Sequence, residues 1–196
     1  ECHHRFPERC LTMAAYHVVM IHFPIALWIV SSLAIVIRAF SSSPLGLAMD
    51  RALPVFLILG VISGAAAYGL GLSIWPWETL SSTPMGRNHM LVASWSLAYY
   101  ALLAVIRHLH GDAIWSGLSR WVMVVLAGIG AVLVGITGTL GGHLVGNYTE
   151  VGEVLRLLGW EIYSTYYLPN PTLIVIAVVA VLLVAVGFVG RGRARA

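Results

Sequence analysis

The stretch AAYHVVMIHFPIALWIVSSLAIVIR, residues 14–38, decides the fold class of this chain. Its apolar run is longer than the about 20 residues that an α-helix needs to cross a bilayer, and an arginine closes it. His17, His22 and Pro24 interrupt its first half. Ionisable side chains are costly in hydrocarbon and proline removes a helical hydrogen bond, so these residues predict a role beyond spanning the membrane.

The rest of the chain has the same apolar character. Of its 196 residues, 59% are hydrophobic and 10% are charged, whereas soluble domains carry about 25% charged residues. Five segments are long and apolar enough to span a bilayer: residues 14–38, 53–76, 89–107, 121–146 and 172–190. The sequence therefore predicts an all-α integral membrane bundle of five transmembrane helices. It occupies residues 14–190, between an N-terminal tail (1–13) and a basic C-terminal tail (191–196).

The distribution of arginine predicts the orientation of the bundle. All the basic residues other than histidine are arginines, and most of them fall on one side of the predicted bundle: Arg38, Arg51, Arg107, Arg120, Arg191, Arg193 and Arg195. The positive-inside rule then places the N-terminus outside and the C-terminus in the cytoplasm, as in a multi-pass protein of a bacterial inner membrane. The arginines lie at helix ends rather than along one face, so the pI near 9.1 does not indicate nucleic-acid binding.

In this topology, four histidines from three predicted spans converge on the outer leaflet. The candidate cofactor-binding residues, and candidate axial ligands of haem iron, are His17, His22, His89 and His143. Imidazoles on facing helices are one way in which a bundle holds a metal cofactor. His22 lies about 7.5 Å deeper than His17, and we expect Pro24 to kink the helix and turn His22 toward the pocket. The pairing is not assigned, so both one haem b and two are consistent with the sequence.

Other features of the sequence carry less specific expectations. In the fourth span, Gly128, Gly135 and Gly142 recur at intervals of seven and would admit either a neighbouring helix or a porphyrin. Residues 148–165 show a helical apolar pattern, which predicts a short amphipathic helix on the outer surface. This helix could cover a quinone or a haem edge, or dock a partner. We expect His108 and His110 to be solvated at the cytoplasmic end; a disulfide between Cys2 and Cys10 is allowed outside.

The stretch HVVMIHFPIAL, residues 17–27, resembles the opening of a bacterial multi-pass membrane-protein family of unknown function. That opening has a pattern like His-Pro-x-x-x-His-Phe-Pro-Ile-Ala-Leu, and Val18 replaces its first proline. The family's histidine at the head of the third span matches His89, and its glycine-glycine motif matches Gly141-Gly142. The family is similar in layout to small b-type cytochromes, and this resemblance implies electron transfer through histidine-ligated haem.

Together, the histidines and the resemblance predict a membrane b-type cytochrome or a cytochrome-like subunit. It would pass electrons between the quinone pool and an extracytoplasmic redox partner, such as a periplasmic cytochrome or an oxidoreductase subunit, with membrane lipid around it. Two alternatives stay open. One is a haem-free anchor or assembly subunit of a larger respiratory or photosynthetic complex. The other is a membrane protein that binds zinc or copper through three or four histidines.

Overall fold

The computed structural model describes residues 7–164 and, in the last segment, residues 174–175, 178–179, 181–182 and 185. All regular secondary structure in these residues is helical, as predicted, and none of them forms a strand. The elements in chain order are α1 (Pro7–Phe40), α2 (Pro44–Ile74), α3 (Trp77–Ser82), α4 (Pro84–His110), a 3-10 helix (Gly111–Trp115), α5 (Ser119–Leu144) and α6 (Glu150–Leu157).

Four helical segments are long and apolar enough to cross a membrane: Ala14–Phe40, Pro44–Ile74, Pro84–Trp115 and Ser119–Leu144. They correspond to the first four predicted spans, which are thereby confirmed as candidate membrane-spanning helices. Most of the predicted fifth span, 172–190, lies outside the described residues, as do Cys2 and the basic tail. We call the end of the bundle that carries Arg38 and Arg107 the arginine end, and the end that carries His17 and His89 the histidine end.

The second and third spans begin earlier than their hydrophobic pattern predicts. The pattern places their starts at residues 53 and 89, but α2 begins at Pro44 and α4 at Pro84. The Ser43 hydroxyl accepts a hydrogen bond from the backbone N–H three residues later, at 3.3 Å, and Thr83 does the same before α4, at 3.1 Å. A capping hydroxyl followed by proline thus starts each helix before its apolar segment.

A buried carboxylate allows α2 to extend past the predicted boundary at the arginine end. Asp50 is only 7% exposed. Its Oδ1 accepts a hydrogen bond from Nη2 of Arg107 on α4 at 2.9 Å, and its Oδ2 lies 3.5 Å from Nε of Arg38 on α1. Arg107 also pairs with Asp112, and the Arg38 guanidinium lies 5.5 Å from the ring centroid of Trp115. One carboxylate therefore joins three helices, which makes its burial tolerable.

The four long helices form a bundle in which α1 and α4 are diagonal partners. α1 packs against α2 and α5, and α4 packs against the same two helices. Trp28 of α1 and Tyr100 of α4 make the contact across this diagonal, and their rings stack. The Tyr100 hydroxyl is hydrogen-bonded to the Ser32 hydroxyl at 2.8 Å. Gly60 and Gly64 of α2 lie against the Trp28 ring, where a built Cβ would come within 2.7 Å of it.

The hairpin α1–α2 and the hairpin α4–α5 repeat each other. In α4, His89 and Tyr100 each follow their counterparts in α1, His17 and Trp28, by 72 residues. Residues 21–28 and 93–100 show the same order of buried, half-buried and exposed positions. Since α1 and α4 run in the same direction and face each other diagonally, the two hairpins are related by an approximate two-fold axis along the bundle.

The second helices of the two hairpins show the same repeat with an offset of 70 residues. Gly130 and Gly141 in α5 match Gly60 and Gly71 in α2. Between residues 51–65 and 121–135, the burial classes agree at every position but one. Both helices therefore present corresponding faces to the bundle interior.

The segment predicted as an amphipathic surface helix contains a shorter helix, α6, over eight residues. Part of its apolar pattern is buried against the bundle, because Leu155, Trp160 and Ile162 pack with Met85 and Leu140. Its remaining apolar residues are exposed. The contact of this helix with a membrane surface stays a prediction.

Candidate functional site

His17 lies on α1 near the histidine end, and its ring faces α2. A Cβ built on Gly71 would stand 3.0 Å from Cε1 of His17, so an alanine there would press on the imidazole. The Trp75 ring meets the imidazole edge-on, with ring centroids 5.3 Å apart and an interplanar angle of 83°. α2 thus positions His17 by close backbone contact and one aromatic edge.

His89 occupies the matching place in the second hairpin. A Cβ built on Gly141 of α5 would stand 3.0 Å from Cε1 of His89. Gly141 is the repeat counterpart of Gly71, the glycine beside His17. The two histidines are therefore held in the same way by equivalent helices.

The two histidines form a pair across the bundle diagonal. Both lie near the histidine end, on helices that face each other diagonally. Nδ1 of His17 and Nδ1 of His89 are both buried, and neither has a hydrogen-bond partner within the described part of the chain. A buried polar atom left unsatisfied costs about 1–3 kcal/mol. Two such nitrogens, one from each hairpin, make a donor set for a ligand that both hairpins contact.

His22 is separated from this pair. Five residues of α-helix turn it about 140° from His17 around α1. Its ring is exposed, and its Nδ1 lies 2.6 Å from the carbonyl oxygen of Val18 in the preceding turn. Pro24 is buried on the interior side of α1. His22 therefore points out of the bundle, contrary to the expectation that Pro24 turns it toward the pocket.

His143, at the end of α5, has both ring nitrogens engaged. Nε2 accepts a hydrogen bond from the backbone N–H of Thr149 at 3.3 Å. We therefore assign the proton to Nδ1, which donates to the Tyr163 hydroxyl at 2.7 Å. Gly152 of α6 lies against the same ring, and a Cβ built there would stand 2.6 Å from Nε2. His143 thus ties the end of α5 to α6, and in this arrangement it has no free nitrogen for a ligand.

A cavity of about 430 Å³ opens beside the His143 ring and is lined by Tyr148, Tyr163 and three glutamates among other residues. Desolvation, followed by the charge of Tyr148, a hydrogen bond that the Tyr163 hydroxyl donates to Tyr148 and the charge of Glu153, raises the pKa of Tyr163. The phenol of Tyr163 therefore stays neutral in the ordinary range of pH and can keep its hydrogen bond to His143.

The structure does not gather the four histidines into one metal site. Within the described residues, no group of three or more histidine, cysteine, aspartate or glutamate side chains could hold a metal ion. A tetrahedral zinc site needs three or four protein ligands, whereas haem iron takes one or two axial ligands. The arrangement therefore favours a two-histidine site over the predicted three- or four-histidine zinc or copper site. His108 and His110 lie exposed in the last turn of α4, at the opposite end of the bundle.

The glycines that contact the site differ from those that the sequence pattern singles out. Gly128 and Gly135 have no neighbouring atom within 4 Å of a built Cβ, so their spacing of seven does not mark the packed face of α5. The contacts come from Gly71 and Gly141, and from Gly130 against Tyr100. The signal that sequence reasoning missed is the repeat of the two hairpins, which relates the histidines by 72 residues and the glycines by 70 residues.

Comparison of the chain with protein-family models, with curated proteins and with solved structures gives no match. The resemblance of residues 17–27 to a bacterial membrane-protein family therefore stays a prediction, and the function must be argued from the geometry of the site.

Proposed function

We propose that the protein is a membrane b-type cytochrome, or a cytochrome-like subunit, in which His17 and His89 hold one haem b. The observation that carries the proposal is the pair of buried imidazole nitrogens without partners, one from each hairpin. Axial histidines for a haem in a bundle come from facing helices, and these two lie on the diagonal helices α1 and α4. When bound, haem would supply one-electron chemistry.

The residues around the pair suit a flat, apolar cofactor. Gly71 and Gly141 let the two imidazole rings lie directly against the backbones of α2 and α5. The stacked Trp28 and Tyr100 close the interior on the arginine side, so water does not reach the pair from that end. The protein's part in the proposed activity is to supply two ligands in fixed positions and a dry, low-dielectric surrounding.

The location of the pair supports the proposed electron path. The positive-inside rule predicts that the histidine end is the outer end. A redox group there would be accessible to the quinone pool in the outer leaflet and to an extracytoplasmic partner, such as a periplasmic cytochrome. The cavity beside His143 and the exposed part of α6 lie at this same end and are candidate contact surfaces for that partner.

The proposal is tested by purifying the full chain in mild detergent from cells with an assured haem supply. Reduced-minus-oxidised visible spectra and a pyridine haemochrome assay then give the haem content per chain. We expect one haem in the wild type, and a loss of most of it in His17→Ala and in His89→Ala, because each removes one ligand.

His22→Ala and His108→Ala are the matched controls, since both histidines are exposed and point away from the pair. Both should retain the wild-type haem content. A wild-type sample without a Soret band would overturn the proposal, and an equal loss in His22→Ala would show that the site has been placed on the wrong face of α1.

A second candidate function, a haem-free anchor or assembly subunit, is favoured by His22 itself. An ionisable residue on the exposed face of a membrane-spanning helix is costly unless another protein covers it. His22 and the neighbouring Phe23, which is 57% exposed, mark such a face on α1. If this candidate is right, His22→Leu should release a co-purifying membrane subunit, while His89→Ala should leave that association intact.

A further inference from the structure

A groove of about 270 Å³ lies between α2 and α4 at the arginine end, far from the histidine pair. Its wall toward the middle of the bundle is apolar, and its other end is basic. The residues that line it are Pro54, Ile58, Ala104, Arg107, His108 and Gly111. We infer that this groove binds one anionic phospholipid, with the phosphate headgroup at the basic end and an acyl chain along the apolar wall.

The two sides of the groove are helical stripes with the same polarity. On α2, Arg51, Pro54 and Ile58 fall three and four residues apart and so share one face. On α4, Ala104 and His108 are four residues apart and form the facing stripe. Each stripe is apolar toward the membrane interior and basic at the arginine end. This distribution matches the distribution of polarity along a phospholipid.

Arg107 is fixed at the head of the groove. Its side chain is 12% exposed, and its Nη2 is shared between Asp50 and Asp112. Asp50 also faces Arg38, so this one buried carboxylate balances only one of two guanidinium groups. Asp112 is 86% exposed, where solvent screens its charge. With Arg51 exposed beside it, this end of the groove favours an anion.

The repeat shows that Arg51 and His108 are not needed for the packing of the helices, whereas Arg107 is held in place by Asp50. In the equivalent place between α5 and α1, Ile35 stands for Arg107, Val36 for His108 and Trp121 for Arg51. That twin interface packs with the same architecture although it has no basic residue in the places of Arg51 and His108. The difference therefore points to a ligand on the α2–α4 side alone, and basic pockets between helices at the cytoplasmic end of a bundle recognise anionic headgroups.

The test uses the full chain in neutral detergent with phosphatidylglycerol or phosphatidylcholine of matched acyl chains, and counts bound lipid by native mass spectrometry. The wild type should retain more phosphatidylglycerol than phosphatidylcholine. Each basic side chain near a headgroup is worth about fivefold in binding, so Arg51→Gln should weaken retention about fivefold. His108→Gln should also lower retention, because it removes a side chain that lines the basic end of the groove.

Arg120→Gln is the control at the same end, because the Arg120 guanidinium lies over Trp121, away from the groove. It should leave retention unchanged. Ile58→Trp fills the apolar wall without altering charge and should also weaken retention. Equal retention of the two lipids by the wild type would overturn the inference, and so would equal losses in Arg51→Gln and Arg120→Gln. It would also be overturned if inorganic phosphate bound the wild type as strongly as phosphatidylglycerol does.

Discussion

Trp28 and Tyr100 stack face to face in the middle of the bundle, with ring centroids 4.9 Å apart and ring planes 7° apart. They occupy equivalent positions in the two hairpins, so a single aromatic contact joins the repeats at their approximate two-fold axis. Both rings are buried. This contact fixes the distance between α1 and α4 at mid-height, and through it the separation of His17 and His89 further along the same helices.

Replacing Trp28 should therefore disturb both stability and the site. Trp28→Ala leaves a cavity against Gly60 and Gly64, and we expect a loss of about 3–5 kcal/mol in the free energy of unfolding. Tyr100→Phe keeps its ring and loses only the hydrogen bond to Ser32, for which about 0.6 kcal/mol is expected in a membrane. Denaturant titration in mixed micelles measures both. Similar losses in the two variants would mean that the stack does not hold the diagonal.

The glycines beside the histidines give a sharper test of the site. Gly71→Ala and Gly141→Ala each put a methyl group 3.0 Å from an imidazole carbon, so the ring must move. We expect both to lower haem content and to shift the visible spectrum of what remains. Gly135→Ala is the matched control, since nothing lies within 4 Å of its built Cβ. It should keep full haem content and gain up to about 1 kcal/mol from helix propensity.

Asp50 should be the most sensitive residue at the arginine end. Asp50→Asn leaves Arg38 without its counter-charge and Arg107 with only the exposed Asp112, and breaking a buried ion pair costs about 3–5 kcal/mol. Asp112→Asn removes an exposed carboxylate from the same cluster and should cost less than about 1 kcal/mol. Thermal unfolding of the two variants compares them directly. Equal destabilisation would show that Asp50 is not the residue that joins the three helices.

The contribution of Tyr163, at the junction of α5 and α6, to the stability of the fold should depend on pH. The pKa of Tyr163 is raised in the folded protein, so the phenol is neutral there when an unfolded tyrosine has begun to ionise. The stabilising contribution of Tyr163 is thus fully present below the ordinary tyrosine pKa and is lost as the pH rises through the higher, folded value. The ultraviolet absorbance of the wild type and of Tyr163→Phe is titrated with pH, and the difference between the two curves isolates the ionisation of Tyr163. A difference curve centred at or below the ordinary pKa would contradict this assignment.

Most of the membrane helices could be predicted from hydropathy, because transfer of apolar side chains from water depends on composition more than on neighbours. The starts of the second and third spans could not, because Ser43 and Thr83 cap helices that begin several residues before the uninterrupted apolar segments. The capping hydroxyls and the prolines after them are visible in the sequence and would have placed both boundaries. The extension past Asp50 needed the structure, since a carboxylate enters a span only when arginines from other helices reach it.

The candidate site, too, could be predicted from the sequence only in part. That histidines collect at one end of the bundle follows from the sequence and the direction of each helix. Which of them face each other does not follow from depth, because a helix turns its side chains about 100° per residue. His22 is deeper than His17 and yet points outward. His143 is level with the pair, and yet its two ring nitrogens are hydrogen-bonded to Thr149 and Tyr163, on either side of α6.

By itself, the sequence determined the all-helical membrane class, the apolar segments of the four described helices and the end at which the histidines lie, since these depend on composition and on residue order along one helix. Only the tertiary structure decided that His17 and His89 form the pair, that Trp28 meets Tyr100, and that Asp50 is balanced by Arg38 and Arg107. Those facts depend on the packing of one helix against another, where burial, close backbone approach and charge neutralisation are shared by residues far apart in the chain.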